Sequence, residues 1–238
     1  QKTAYEIYQC DWSSDVCSSD LIDRTNLEGM FEVLVNDAPL SKVVKKAAGF
    51  PHLECAPADM ALAGAEVNMV SFVSRESRLK FALEKFLQER EAAGQRIDYV
   101  IIDCPPSLGL LTVNALTAAE EVLVPIQCEY YSLEGLTLLL QTLQQVQQML
   151  NKSVRISTIV LTMYDSRTRL ANDVANSVRQ HFPKELIDIP IPRAVRISEA
   201  PSFSQTVMTY DASSPGALAY MQIAREIAQR GVSNIEVA

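Results

Sequence analysis

The sequence predicts an α/β fold in which a mostly parallel, twisted sheet is flanked by helices. Three observations support this prediction. Short apolar runs recur along the chain, amphipathic segments lie between them, and the two kinds of segment alternate. Such alternation favours right-handed βαβ units and therefore a parallel sheet. Ligands of these sheets bind beyond the carboxyl ends of the strands, so the residues that follow each strand are the first candidates for a site.

The first third of the chain predicts mainly helices. Apolar residues at helical spacing predict a helix over residues 27–46, and Pro39 suits the first turn of a second short helix within that range. The stretch "HLECAPA" predicts a short strand that runs into a turn. Residues 77–92 alternate apolar and charged side chains with a helical period, which predicts an amphipathic helix.

Beyond residue 98 strands and helices alternate. The run "YVIID" (Tyr99–Asp103) is continuously apolar, which predicts a strand buried on both faces. The later strands are predicted at "EVLVPIQ" (Glu121–Gln127), "RISTIVLTMYD" (Arg155–Asp165) and "LIDIPIPR". The helices between and after them are predicted at "LLTVNALTAA" and over residues 133–150, 170–182 and 215–229, the last with a proline at its start.

Composition limits the classes of function. The chain has 238 residues, which fits one α/β domain with a sizeable core. Its net charge is −8, so any contact with nucleic acid requires a local basic patch. Beyond residue 21 the cysteines are Cys55, Cys104 and Cys128, an odd and scattered set without a CxxC pair. This set predicts a reducing compartment and no structural metal, and we expect Cys104 and Cys128 to be small buried hydrophobes.

Asp103 is the residue that most clearly indicates chemistry. It ends a predicted buried strand and is followed by a Cys-Pro-Pro loop and by Gly109. An aspartate in this position holds Mg²⁺, usually through water, in enzymes of phosphoryl transfer. Prolines stiffen such a loop, and a glycine lets its backbone approach a phosphate. The alternative, that Asp103 merely caps the next helix, is equally compatible with the strand pattern alone.

Longer strings carry a specific resemblance to a known family. "DYVIIDCPPSLGLLTVNALTAAEEVLVPIQCEYYSLEGL", "VLTMYDSRTRL", "IPIPRAVRISEAPSFSQTVMTYD" and "PADMALAGAEVNMVS" closely resemble the ParA/Soj chromosome- or plasmid-partitioning ATPases, of the MinD-like deviant Walker group. The resemblance spans residues 22–230 in order, and it implies a P-loop NTPase-like fold. It also implies a cytoplasmic, nucleoid-associated ATPase that uses ATP and Mg²⁺. Such a protein dimerises when ATP is bound, binds DNA non-specifically and is stimulated by a ParB-type partner.

The resemblance also implies roles for particular residues. Asp103 resembles the Walker B aspartate, which is catalytic and holds Mg²⁺ through water, and the following loop resembles switch II. The nucleotide-binding residues implied by these matches are Cys104, Pro105, Pro106, Gly109, Met163, Asp165, Pro192 and Arg193. Among them, Met163 and Asp165 flank Tyr164 where the family's strand approaches the adenine. Arg193 and Arg196 are candidate contacts to the DNA backbone.

The sequence departs from the family in two places. It contains no G-x-x-x-x-G-K-[ST] loop, so the fold is expected to lack its phosphate loop and first strand, and the chain as written is expected not to hydrolyse ATP. The family often has basic residues after the "YD" near the carboxyl end, but no basic residue occurs between Asp211 and Tyr220. That absence is expected to weaken DNA binding and to flatten its salt dependence.

Residues 1–21 match a different source. Their codons can be written as two fixed blocks of a sequencing-library adapter, "QKTAYEI" and "WSSDVCSSDL", separated by an index-sized gap. We therefore expect residues 1–21 to be adapter-derived and to take no defined place in the sheet, and residues 22–238 to form an incomplete ATPase domain. Leaving out their one lysine and four acidic residues changes the net charge from −8 to −5.

Three other functions are compatible with parts of the sequence. A MinD-like division-site regulator is disfavoured because "SNIEVA" at the end lacks a basic amphipathic helix, and no membrane attachment is expected. An iron–sulfur carrier would need paired cysteines. A non-catalytic adaptor that dimerises and binds a partner is the remaining alternative, and the sequence that natively precedes Ile22 would distinguish it from an ATPase.

Overall fold

The computed structural model describes residues 4–9, 28–58, 60–105, 107–203 and 205–233. Its strands are β1 (Ala4–Gln9), β2 (Lys45–Lys46), β3 (Glu54–Cys55), β4 (Tyr99–Cys104), β5 (Glu121–Gln127), β6 (Arg155–Thr162) and β7 (Leu186–Ile187). Its α-helices are α1 (Met30–Val35), α2 (Leu40–Val43), α3 (Ala65–Asn68), α4 (Arg78–Ala92), α5 (Leu110–Ala118), α6 (Ser132–Met149), α7 (Arg169–His181), α8 (Val195–Glu199), α9 (Val207–Tyr210) and α10 (Pro215–Ser233).

The main sheet has five strands in the order β4-β1-β5-β6-β7, and all of its strand pairs are parallel. The prediction of a parallel α/β sheet is therefore confirmed. Successive residues of β5 and β6 point to opposite faces, as the period of a strand requires. Val122, Val124 and Ile159 join the core under α4 to α7, whereas Leu123 and Val160 join a second cluster with α10.

Strand β4 differs from its prediction. It lies at the edge of the sheet, and its residues alternate between partly buried and exposed, so it is not buried on both faces. Val100 and Ile102 pack against the main core, but Tyr99 and Ile101 are 47% and 59% exposed. Helix α10 packs on Leu123 of β5 and Val160 of β6, and its last turns come near the Tyr99 hydroxyl. Among the described residues, however, Ile101 joins none of the hydrophobic clusters, so this face of β4 stays largely exposed.

The expected absence of a first strand is also wrong. Strand β1 pairs with β4 along its whole length and with the first half of β5, so residues 4–9 do take a defined place in the sheet. Strands β4 and β5 would otherwise face each other with unpaired backbone groups, and "AYEIYQ" contains strand-forming tyrosines and isoleucine. Pairing of this kind uses backbone groups that any sequence supplies, so the adapter origin of residues 1–21 stays a prediction. Residues 10–21 lie outside the described residues.

Pro125 in β5 shows how the sheet tolerates a proline. Among the described residues, β1 pairs with β5 only as far as Leu123, so within them Pro125 has a strand neighbour on one side, Val160 of β6. The missing N–H of a proline is tolerated in such an edge position. The strand predicted at "LIDIPIPR" is shorter than expected, since β7 comprises Leu186 and Ile187, and Pro192 forms an isolated bridge with Tyr164. The helix predicted over residues 27–46 begins at Met30, is divided at Pro39 as predicted, and gives way to β2.

Candidate functional site

Asp103 lies at the carboxyl end of β4 with an exposed side chain, on the same face as Tyr99 and Ile101. The next residue, Cys104, points to the opposite face and is buried, and its thiol lies 3.7 Å from the carbonyl oxygen of Ile102. Cys104 and Pro105 line a small cavity under the start of α5. The predicted burial of Cys104 is therefore confirmed. Pro106 lies outside the described residues.

The loop after Asp103 closes onto the first turn of α5. The Thr112 hydroxyl donates to the Ser107 carbonyl oxygen at 2.6 Å, and Gly109 is the residue that precedes the helix. The Leu111 N–H donates to a carboxylate oxygen of Glu66 at 3.1 Å. Sequence reasoning did not find Glu66, because its partner lies 45 residues away and no local pattern links the two.

A second group of predicted residues meets at the carboxyl end of β6. The Tyr164 N–H donates to the Ile191 carbonyl at 3.0 Å, and the Arg193 N–H donates to the Tyr164 carbonyl at 3.0 Å. Tyr164 and Pro192 form a parallel bridge. Met163, one residue earlier, has φ +52°, a left-handed conformation that is strained for a long side chain. The paired loops hold Met163 in this conformation, and strain of this kind clusters at binding sites.

Asp165 is locked by its own loop. Its carboxylate accepts hydrogen bonds from the Arg167 side chain at 2.9 and 2.7 Å and from the Arg167 backbone N–H at 3.0 Å. These bonds, with the nearby charge of Arg193, lower the pKa of Asp165 to about 2. Asp165 is therefore an anion at neutral pH, and Arg167 is a site residue that the sequence did not single out.

Arg193 and Arg196 differ in their surroundings, although both are exposed. The Arg196 guanidinium lies 3.2 Å from Glu199 and 3.7 Å from Asp211, and it lies over the Tyr210 ring at 5.8 Å. Tyr210, through its hydroxyl, and then Glu199 raise the pKa of Arg196 above its ordinary value. Among the described residues, the Arg193 guanidinium makes no hydrogen bond or ion pair, and Asp165 is its neighbouring charge.

The structure therefore brings Met163, Asp165, Pro192 and Arg193 together, and keeps Asp103 apart from them. Strands β4 and β6 are separated by β1 and β5, which corresponds to three interstrand spacings or about 14 Å. The two groups lie along one edge of the sheet, where an elongated ligand can contact both. Within the described ranges, no group of three or more His, Cys, Asp or Glu side chains is placed to hold a metal ion. None of the helices in those ranges could span a membrane.

Comparisons with known proteins agree on one family. A family model described as an AAA domain matches residues 7–156. The sporulation initiation inhibitor protein Soj of Bacillus subtilis is 46% identical over 211 residues, which cover 88% of this chain and 80% of that protein. The chromosome partitioning protein ParA of Myxococcus xanthus is 43% identical over 210 residues, which cover 88% of this chain and 71% of that protein.

A solved structure is similar over nearly the whole chain. The cobyrinic acid a,c-diamide synthase of Mycobacterium smegmatis, with bound ADP and magnesium, superposes with a TM-score of 0.76 at 28% identity. The match covers 98% of this chain and 97% of that one.

Proposed function

The chain belongs to the ParA/Soj family of chromosome-partitioning ATPases, and from that premise we propose that its site binds a magnesium–nucleotide complex along the carboxyl edge of the sheet. The observation that carries this proposal is the joined pair of loops at the end of β6, which fixes Met163, Asp165 and Arg193 beside one another. Parallel sheets bind ligands at this edge. The ADP and magnesium of the Mycobacterium smegmatis structure support the choice of ligand.

The two ends of the site would contact different parts of the nucleotide. Met163 and Pro192 offer apolar surface to an adenine. Asp165 adds a negative charge and Arg193 a positive charge beside it. Asp103 would hold Mg²⁺ through water, and Cys104, Pro105 and Gly109 would belong to the loop beside the terminal phosphate. One exposed carboxylate fits this metal, because Mg²⁺ keeps several waters and is usually completed by the phosphates of its substrate. Bound Mg²⁺ neutralises phosphate charge, and the chain's own part is to orient it.

The larger cycle follows from the same proposal. ATP-dependent dimerisation, non-specific DNA binding and stimulation by a ParB-type partner would make the intact protein a nucleoid-associated, cytoplasmic ATPase. Arg193 is the stronger candidate for a phosphate contact, since its guanidinium has no ion pair to break among the described residues. Before it could contact a phosphate, Arg196 would have to break its ion pairs with Glu199 and Asp211. The adaptor and division-site alternatives have no observation in their favour.

Nucleotide binding can be tested on the chain as it is, by NMR of ¹³C-methyl-labelled methionines titrated with adenosine and with Mg²⁺–ATP. Because the proposed base-contacting loops are among the described residues and the sequence contains no phosphate-loop motif, both ligands are expected to shift the Met163 methyl signal with similar, weak affinity. Met149 is the internal control, since it ends α6 and is 75% exposed. The proposed site would be refuted if the Met163 methyl signal did not shift at millimolar ligand, or if it shifted together with the Met149 signal.

DNA binding can be tested with a matched pair of variants. Fluorescence anisotropy with a labelled duplex at several salt concentrations should show a larger loss for Arg193→Ala than for Arg196→Ala. Loss of one phosphate contact is expected to reduce the salt slope of the Arg193→Ala variant by about 0.9. Equal effects of the two substitutions would show that the ion pairs of Arg196 do not restrain it, and no effect of either would exclude both residues as DNA contacts.

A further inference from the structure

Gly109, at the start of α5, lies against a carboxylate from a distant part of the chain. Glu66 of α3 reaches the first turn of α5, where its Oε1 accepts the hydrogen bond from the Leu111 N–H at 3.1 Å. A β-carbon built on Gly109 would lie 2.3 Å from the same oxygen and 2.9 Å from the Glu66 Cδ atom. Hydrogen bonding and close approach thus both place the Glu66 carboxylate on this turn.

This contact links the glycine at residue 109 to Glu66. Its φ of −85° and ψ of −168° are extended backbone angles that any residue adopts, so the backbone conformation does not require glycine. What a side chain at residue 109 would disturb is the contact itself, because a β-carbon would collide with the Glu66 carboxylate and displace it. The sequence alone suggests that the glycine makes room for a phosphate. In the structure, the group that uses this room is Glu66.

The carboxylate also meets an electrostatic need of α5. The first N–H groups of a helix have no acceptor within the helix, and Gly109 has no side chain to cap them. A carboxylate accepts such an N–H strongly and is stabilised by the positive end of the helix dipole. Glu66 therefore supplies from another segment the cap that Gly109 cannot supply, and it does so at the far end of the loop that begins at Asp103.

We propose that Glu66 is a positioning residue for the loop between Asp103 and α5. By holding the Gly109–Leu111 backbone, Glu66 sets where this loop stands relative to the metal and the terminal phosphate. Through this hydrogen bond it also links the loop to the helical segment of residues 60–71. This inference rests on the proposed function for the role of the loop, but not for the contact itself.

Amide hydrogen exchange of Leu111, followed by NMR without nucleotide, tests the contact directly. Leu111 is the second residue of α5, so its N–H has no acceptor within the helix and its protection reports Glu66. Glu66→Ala is expected to accelerate this exchange by about 10-fold or more, because the bond to a charged acceptor is lost. Glu66→Gln keeps an acceptor oxygen at the same length and should retain most of the protection.

Val113 provides the internal control, because its N–H donates to the Gly109 carbonyl at 3.0 Å inside the helix. Its exchange should stay unchanged in Glu66→Ala. Equal acceleration at Leu111 and Val113 would overturn the proposal, since Glu66 would then merely keep α5 folded. Unchanged exchange at Leu111 would overturn it as well.

A double-mutant cycle tests whether a side chain at residue 109 displaces the Glu66 carboxylate. Gly109→Ala alone should expel the carboxylate and accelerate Leu111 exchange about as much as Glu66→Ala does. In the Glu66→Ala background it should add less than about two-fold, because nothing remains to collide with. Independent, additive effects would overturn the proposal. If the effects of the two substitutions were coupled but the Met163 methyl signal did not respond to nucleotide, only the proposed function would be refuted.

Discussion

Asn151, just beyond α6, holds the end of helix α5, and its replacement by aspartate should destabilise the protein strongly. Its side-chain NH₂ donates to the carbonyl oxygens of Leu116 and Thr117 at 3.1 Å each and of Ala119 at 2.6 Å. Carbonyls in the last turn of a helix have no donor within the helix, and here the two N–H hydrogens of one side chain are shared among three carbonyl oxygens at the end of α5.

Asn151→Asp keeps the shape of the side chain but replaces the donor by a negative charge that faces three carbonyl oxygens. Unsatisfied, partly buried acceptors cost about 1–3 kcal/mol, and an anion at the negative end of a helix costs about 0.3–1 kcal/mol more. We therefore expect the free energy of unfolding to fall by about 2–4 kcal/mol. For a chain of this size, a loss of about 3 kcal/mol lowers the Tm by about 6–12 °C.

The measurement is urea unfolding at pH 7 followed by circular dichroism. Ser153→Ala is the matched control, because Ser153 donates to the other end of the same side chain, from its hydroxyl at 2.8 Å and from its backbone N–H at 3.2 Å. These bonds are exposed, so the control should change stability by less than about 0.5 kcal/mol. If Asn151→Asp were no less stable than Ser153→Ala, the assignment of the three carbonyl bonds would be refuted.

Three further predictions concern the site and the thiols. The chain as written should release no phosphate from Mg²⁺–ATP above background, because it contains no phosphate-loop motif, and turnover that Asp103→Asn abolishes would contradict this. The Asp165 carboxyl should titrate near pH 2 by NMR, so that its contact stabilises the folded protein fully above the ordinary value of 3.8 and is lost as the pH falls toward 2. Arg167→Ala should return the midpoint toward 3.8, and an unmoved midpoint would exclude the Arg167 bonds as the cause. Burial raises the pKa of Cys128 to about 11, so native Cys128 should resist iodoacetamide at pH 8 and react after unfolding, as judged by mass spectrometry, and rapid native alkylation would refute its burial.

Much of the fold could be predicted because local patterns specify it. The strand "EVLVPIQ" was predicted with the bounds that the structure gives to β5, and the helix over residues 77–92 begins one residue later than predicted. The position of β4 in the sequence was predicted correctly, but its burial on both faces was not. An apolar run predicts a strand, but its exposure depends on whether a helix from elsewhere covers it. Helix α10 covers Leu123 of β5, whereas within the described part of the chain Ile101 of β4 is packed in no cluster.

The candidate site divides in the same way. Met163, Asp165 and Arg193 could be proposed from their places after predicted strands and from the family resemblance, and the structure brings them together. Arg167 and Glu66 could not, because their importance lies in which atoms they contact. In the sequence, Gly109 suggested room for a phosphate. Only the structure shows that the Glu66 carboxylate occupies that room.

The sequence by itself determined the alternation of strands and helices, the parallel sheet and the family, since periodicity, turn residues and long matching strings are all properties of neighbours along the chain. The tertiary structure alone decided which strand lies at the edge and how β1 fills the place between β4 and β5. It also decided why, among the described residues, Arg196 has ion pairs and Arg193 has none. These features depend on contacts between residues far apart in the chain. Such contacts arise only when packing and the pairing of backbone groups are satisfied for the whole molecule at once.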